Sequence, residues 1–151
     1  MGVLPHRFTF PVRSISESAP RGRSLTRLPS LLVLRSLTTF SEVRSELNEE
    51  ILNCGHLGIK RAFALDHQAY EAGALDTKTK ELLGLVGSMV LQCDDGITYH
   101  LVRAAQLGWS RAEVIDALNV ALVVGGSITV PHIRRAFARM REVPGLKPDV
   151  K

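Results

Sequence analysis

From Thr39 onward, apolar side chains recur three and four residues apart, the spacing of one face of an α-helix. Thr39-Phe40-Ser41-Glu42 has the form of a capping box and predicts a first helix, with Val43, Leu47, Ile51 and Leu52 as its stripe and Cys54-Gly55 as its end. A second amphipathic segment spans 59–72 and closes at Gly73. Asp76 or Thr77 then caps a helix over 78–91. Its interior is apolar on nearly every side, which predicts burial all round. Residues 92–96 read as a break, with Asp94 or Asp95 capping a helix over 97–107 that Gly108 ends. Ser110-Arg111-Ala112-Glu113 is a second capping box, opening a helix over 112–124 before a Gly125-Gly126 turn. Pro131 suits the first position of a last helix, 132–143, which Pro144-Gly145 finishes. No strand alternation and no internal repeat is visible. The expected body is all-α, with about six helices.

Composition agrees with that pattern. The 151 residues are 45% hydrophobic, 23% charged and only 5% aromatic, which favours one helical domain with a Leu, Val and Ala core over a β-sandwich or barrel. The longest apolar run, 82–91, is about half of a membrane span, so no membrane partner is expected. Two cysteines, Cys54 and Cys93, are too few for a disulfide framework.

Charge divides the chain. The first 40 residues hold six arginines and one acid, Glu17, whereas the remainder holds 13 basic and 14 acidic side chains. The formal net charge of +4 therefore belongs to the leading segment, and the body gives no reason to expect nucleic acid. Residues 1–38, rich in Arg, Ser and Pro, read as a disordered extension, as the product of a start assigned upstream, or as an organellar transit peptide. The predicted organisation is that extension, a helical domain over 39–143 and a tail over 144–151. A cytoplasmic location follows, or an organellar matrix if the extension is a transit peptide.

Three side chains around the central break carry candidate chemistry. Cys93 lies at the start of a helix, where backbone N–H groups and the macrodipole favour a thiolate, although Asp94 and Asp95 oppose it. His100 follows seven residues later, within about 20° of the same helix face, so its imidazole is placed to hold or move a proton. Glu81 opens a nearly apolar helix. It either complements the helix terminus or stands at the edge of a buried pocket and orients a base. Cys93 itself reads either as a reactive thiol or as a small apolar residue. Cys54, beside Gly55 and His56, reads as incidental or as a second thiol. His56, His67 and His132 share no metal-ligand spacing with each other or with Cys93, and neither metal nor cofactor is expected. His132, Arg134 and Arg135 read as a solvated basic helix end or as a dock for a small acid. Trp109 reads as a packing residue.

These positions resemble the carboxymuconolactone decarboxylase superfamily, and within it the alkylhydroperoxidase AhpD-like branch. The signature there is Glu, eleven residues, Cys-x-x-Cys, three residues and His; here Glu81, Cys93, Gly96 and His100 stand at those places. The lead 72–83, Ala104-Ala105, Gly108, the Ser110–Glu113 box and Gly125-Gly126 match too, so the resemblance covers about 39–143. It implies a helical domain that assembles as a homo-oligomer, trimer or hexamer, and reduces small peroxides with thiols in a peroxiredoxin-type antioxidant reaction. It also implies catalytic roles for Glu81 and His100 as a proton relay and for Cys93 as a thiol.

The departure is Gly96, which stands where the second, attacking cysteine belongs, so an internal dithiol cycle cannot run. Three outcomes remain open. Cys93 acts alone with an external thiol reductant, a decarboxylase or lactone-type reaction on a small acid uses His100 without a thiol, or the chain is a non-catalytic oligomeric relative.

Overall fold

A computed structural model describes residues 37–148, and among these the chain is all-α. The helices are α1 (Leu37–Asn53), α2 (Leu57–Tyr70), α3 (Thr77–Val90), α4 (Asp94–Gln106), α5 (Arg111–Gly125) and α6 (Val130–Met140). A single 3-10 turn, Ser127–Thr129, precedes α6. The expected six-helix body is what the chain forms. The readings made for the leading extension fall almost wholly outside the described residues.

Helices α3 to α6 make the core. Leu85 and Met89 of α3 meet Ile97 and Leu101 of α4, Val114 and Leu118 of α5, and Ala136 and Met140 of α6. After α6, Val143 and Leu146 close the same cluster, and Arg111 of α5 holds the Leu146 carbonyl at 2.7 Å. Burying each large aliphatic side chain contributes about 1.5–3 kcal/mol, so these layers carry most of the stability. By contrast, α2 buries no residue, and α1 buries none from Thr39 on. Leu47 and Ile51 of α1 and Leu57 and Leu65 of α2 stay exposed, as do Val120, Val123 and Val124 of α5.

Local chemistry corrects several expected boundaries. Helix α1 already contains Leu37 and Thr38, so Thr39 lies inside the helix and not at the position before it; once a helix is nucleated, each further residue adds a hydrogen bond at little cost. His56 caps α2 by accepting from the Ile59 N–H at 3.3 Å, which starts α2 two residues early and ends it at Tyr70 rather than 72. Asp76 caps α3 as one of the two expected residues, 2.7 Å from the Thr79 N–H. Burial of α3 is one-sided, because its partners α4 and α5 leave Leu83 55% exposed. Ser110 and Glu113 form the predicted box on α5. Helix α6 stops at Met140, three residues short of the expected end.

The junction between α3 and α4 differs most. The Cys93 N–H bonds the Ser88 carbonyl at 2.9 Å and the Gln92 N–H bonds that of Met89 at 3.1 Å, with Gln92 at φ 59°. A non-glycine residue seldom adopts that left-handed conformation. It turns the chain within Leu91–Gln92 and leaves Cys93 extended, so the N-cap is Cys93 and not Asp94 or Asp95. Both aspartates lie in the first turn of α4, where the macrodipole favours them.

Candidate functional site

Helices α3 and α4 run back to back from this tight turn, and their facing sides hold the polar residues. Glu81, 2% exposed, sits one turn inside α3 among apolar neighbours. A carboxylate there requires partners, and both oxygens have one. His100 Nδ1 donates to Oε2 at 2.8 Å and Arg103 Nε donates to Oε1 at 3.0 Å. His100 and Arg103 are three apart on α4, so one helix face delivers both. Arg103 reaches outward to Gln106 at 2.9 Å, which ties the buried carboxylate to the surface. Of the two roles open to Glu81, the geometry is that of a carboxylate orienting an imidazole.

The other face of His100 meets Tyr70, the last residue of α2, whose hydroxyl lies 3.4 Å from Nε2. Burial raises the Tyr70 pKa above its usual value of 10.0, and the negative charges of Asp66 and Glu81 push it the same way. The phenol is therefore protonated at neutral pH, and it donates to Nε2 when the imidazole carries its proton on Nδ1. The Glu81 carboxylate, which can only accept, selects the tautomer with the proton on Nδ1 and leaves Nε2 facing Tyr70. Tyr99 packs edge-on against the same imidazole, with ring centroids 5.1 Å apart.

Cys93 stands at the opposite end of α4's first two turns. Its sulfur is exposed and accepts the Gly96 N–H at 3.3 Å. Seven residues of helical rise, about 10 Å, separate it from His100. The two share a helix face as expected, but the hydrogen bonds of the imidazole run to Glu81 and Tyr70. Position 96 lies between them and is crowded. A Cβ there would fall 2.6 Å from Ser88 Oγ and 3.2 Å from Cys93 Sγ. The place of the second motif cysteine is thus filled from α3 by a serine hydroxyl. Cys54 is exposed just beyond α1.

Sequence reasoning missed Arg103, Tyr70 and Ser88. Arg103 was findable, because it follows His100 by three on a helix. Tyr70 and Ser88 were not, since only the packing of α2 and α3 against α4 brings them in. His132 also gains a partner. Its Nδ1 is 2.7 Å from Asp94 Oδ1, and Arg135 sits 3.1 Å from Asp94 Oδ2. His132 is thus held by the first turn of α4, while Arg134 and Arg135 stay exposed, as the reading of a solvated basic helix end expects. Trp109 packs as expected and donates to the Lys78 carbonyl at 3.0 Å. Among the described residues, no group of three His, Cys, Asp or Glu side chains is arranged to hold a metal, and no helix is long and apolar enough to cross a membrane.

The model of the carboxymuconolactone decarboxylase family matches residues 60–139, a span that includes Tyr70, Glu81, Cys93, His100 and Arg103. The chain belongs to that family. It is 57% identical to a Thermotoga maritima protein of known crystal structure, covering 68% of this chain and 90% of that one with a TM-score of 0.67. A second crystal structure from that organism, 56% identical with a TM-score of 0.65, is described as a family member for which involvement in an antioxidative response is suggested. A Legionella pneumophila family member, 21% identical with a TM-score of 0.64 over 74% of this chain and 97% of its own, shares the fold. An uncharacterized protein of the Paracoccus denitrificans cox locus is 29% identical over 82 residues, 54% of this chain and 74% of the relative.

Proposed function

We propose that this protein is an AhpD-like, thiol-dependent peroxide reductase that works with one cysteine. The observation that carries this reading is the buried Glu81–His100 hydrogen bond, fixed by Arg103, on the same helical hairpin whose turn presents an exposed Cys93 at a helix N-terminus. The suggested antioxidative role of the Thermotoga maritima relative agrees with it.

In this reading the Cys93 thiolate attacks the outer oxygen of a hydroperoxide. The S–O bond forms, the O–O bond breaks, and the alkoxide leaves with a proton supplied through the His100 relay. Cys93 is then a sulfenic acid. With no cysteine at position 96, an external thiol attacks the sulfur, water leaves, and a second thiol releases Cys93 from the mixed disulfide. The external dithiol is oxidised as the peroxide is reduced to alcohol. The exposed apolar residues of α1, α2 and α5 support a homo-oligomer, since unpaired faces of this kind are covered by other copies in symmetric assemblies.

A second reading rests on its own observation. Between α1 and α4 lies a cleft of about 340 Å³, lined by Arg44, Tyr99, Arg103 and Gln106 among others. The Arg44 guanidinium lies 4.1 Å over the Tyr99 ring, and Arg103 already holds Glu81. That cleft suits a small acid, and a lactone or decarboxylase reaction there needs His100 but no thiol. Turnover of tert-butyl hydroperoxide with dithiothreitol separates the two. The thiol reading expects Cys93→Ser to abolish turnover and His100→Ala to slow it at least tenfold. Turnover undiminished in Cys93→Ser would refute it and leave the small-acid reading.

A further inference from the structure

The Glu81–His100 pair leaves one nitrogen to account for. His100 is 7% exposed, and its Nδ1 is committed to Glu81. Nε2 is the only ring atom left that can exchange a proton, and the Tyr70 hydroxyl stands in front of it. The rings are 5.4 Å apart and inclined by 37°, an approach in which the phenol covers the nitrogen with its oxygen.

This contact has a sequence cause on each side. On α3, Gly84 opens the space. A Cβ there would fall 2.5 Å from His100 Cε1, 2.7 Å from Nε2 and 2.6 Å from the Tyr70 oxygen, so any side chain at 84 would occupy the point where imidazole and phenol meet. At the end of α2, Lys80 of α3 donates to the Glu71 carbonyl at 2.6 Å and holds the residue after Tyr70 against the hairpin. A half-buried phenol, a glycine notch and a lysine tie thus converge on one nitrogen.

We propose that Tyr70 is the outer member of the proton relay, and that reactants exchange protons with its hydroxyl rather than with His100. The inference rests on the reading that the Glu81–His100 pair moves protons, but not on the identity of the substrate. When a basic oxygen forms on a reactant, the Tyr70 O–H bond breaks toward it and the protonated His100 returns a proton from Nε2 to the phenolic oxygen. In the reverse direction a reactant proton passes to the Tyr70 oxygen as the phenolic proton moves to Nε2, and Glu81, held by Arg103, stabilises the imidazolium. The phenol is neutral before and after each transfer. Its raised pKa fits a group that relays a proton without resting as an anion.

Tyr70→Phe in the full chain removes the oxygen and keeps the ring. Two measurements test the proposal together: ¹⁵N NMR of the His100 ring, and steady-state reduction of tert-butyl hydroperoxide with dithiothreitol. The wild type is expected to show one neutral tautomer with the proton on Nδ1 and an Nε2 signal shifted by an accepted hydrogen bond. In Tyr70→Phe that signal moves to the position of a free acceptor, while kcat falls at least tenfold and KM stays within about twofold. Gly84→Ala, which keeps both functional groups and drives them apart, reproduces both changes. An unchanged Nε2 signal in Tyr70→Phe overturns the proposal, and so does a shifted signal with undiminished kcat, which would make Tyr70 a packing residue. If the wild type turns over no peroxide, the thiol reading fails by itself, and an Nε2 signal that Tyr70→Phe leaves unchanged still overturns the proposal for Tyr70.

Discussion

Gly84 and Gly87 lie three residues apart in the interior of α3, and replacing each by alanine gives opposite results if the hairpin is packed as described. Glycine in a helix interior is worse than alanine by about 0.5–1 kcal/mol, a gain that both variants share. At Gly87 a new Cβ meets nothing within 4 Å, so the whole gain is realised. At Gly84 it lands 2.5 Å from His100 Cε1 and 2.6 Å from the Tyr70 oxygen. The imidazole cannot swing away freely, because its Nδ1 is held at 2.8 Å by Glu81. Overpacking of this kind costs about 1–3 kcal/mol. Parting Tyr70 from His100 adds about 0.5–1.5 kcal/mol. The steric and hydrogen-bond losses exceed the propensity gain, and Gly84→Ala is expected to be destabilised by about 1–3 kcal/mol. Urea unfolding at one fixed protein concentration measures both variants, read as midpoint shifts at unchanged slope. Because the two share a helix, their difference isolates the contact. A Gly84→Ala protein as stable as Gly87→Ala would show that nothing stands over Gly84, and the Tyr70–His100 geometry would be refuted.

The remaining predictions concern the phenol and the thiol. In a Tyr99→Phe background, absorbance near 295 nm follows Tyr70 alone, which is expected to ionise above its ordinary value of 10.0; Glu81→Gln removes one of the charges responsible and lowers the midpoint, and no change would contradict the placement of Glu81. The linked stability has a definite sign. Folding disfavours the Tyr70 phenolate, so this group leaves stability unaffected below pH about 10 and subtracts from it above, a decline that Tyr70→Phe removes from the alkaline limb of a denaturation series. Gly96→Cys is expected to lose free thiols by closing a bridge to Cys93, faster once Ser88→Ala clears the hydroxyl from 2.6 Å; equal rates with and without Ser88 would refute the crowding at that position. Cys93→Ser keeps an N-cap acceptor for the Gly96 N–H, whereas Cys93→Ala lacks one and should unfold more easily by about 0.5–2 kcal/mol; equal stabilities would show that the sulfur caps nothing.

How much of this was legible in the sequence follows from what each contact depends on. The Ser110–Glu113 box and the Asp76 cap are local: their donors and acceptors lie three residues apart, so spacing alone identifies them. The Glu81–His100 pair crosses two helices. Residue spacing left the role of Glu81 open, and only the family resemblance implied the pairing that the packing of α3 on α4 makes. Cys93 as a cap was missed because capping preference ranks aspartate far above cysteine, and a left-handed Gln92 is not visible in a sequence. One-sided burial of α3 was missed for a related reason. An all-round apolar pattern states what a helix tolerates, whereas the number of helices packed against it decides what it buries.

The same hairpin explains why the two halves of the site have separable fates. Counting from the turn, successive rungs between α3 and α4 are Ser88 against Gly96, Gly84 against His100, and Glu81 against His100 and Arg103. The inner rungs form a closed polar unit in which the carboxylate has cationic partners on both oxygens and the imidazole a partner on each nitrogen. Removing any member leaves a buried group unpaired, so stability as well as chemistry holds this unit together. The rung nearest the turn has no such constraint. Its cysteine is exposed and its glycine is matched to a serine, so a second thiol at position 96 is dispensable for the fold. The outer edge of the unit is the Tyr70 hydroxyl, which is half-buried and covers the imidazole nitrogen that Glu81 does not hold.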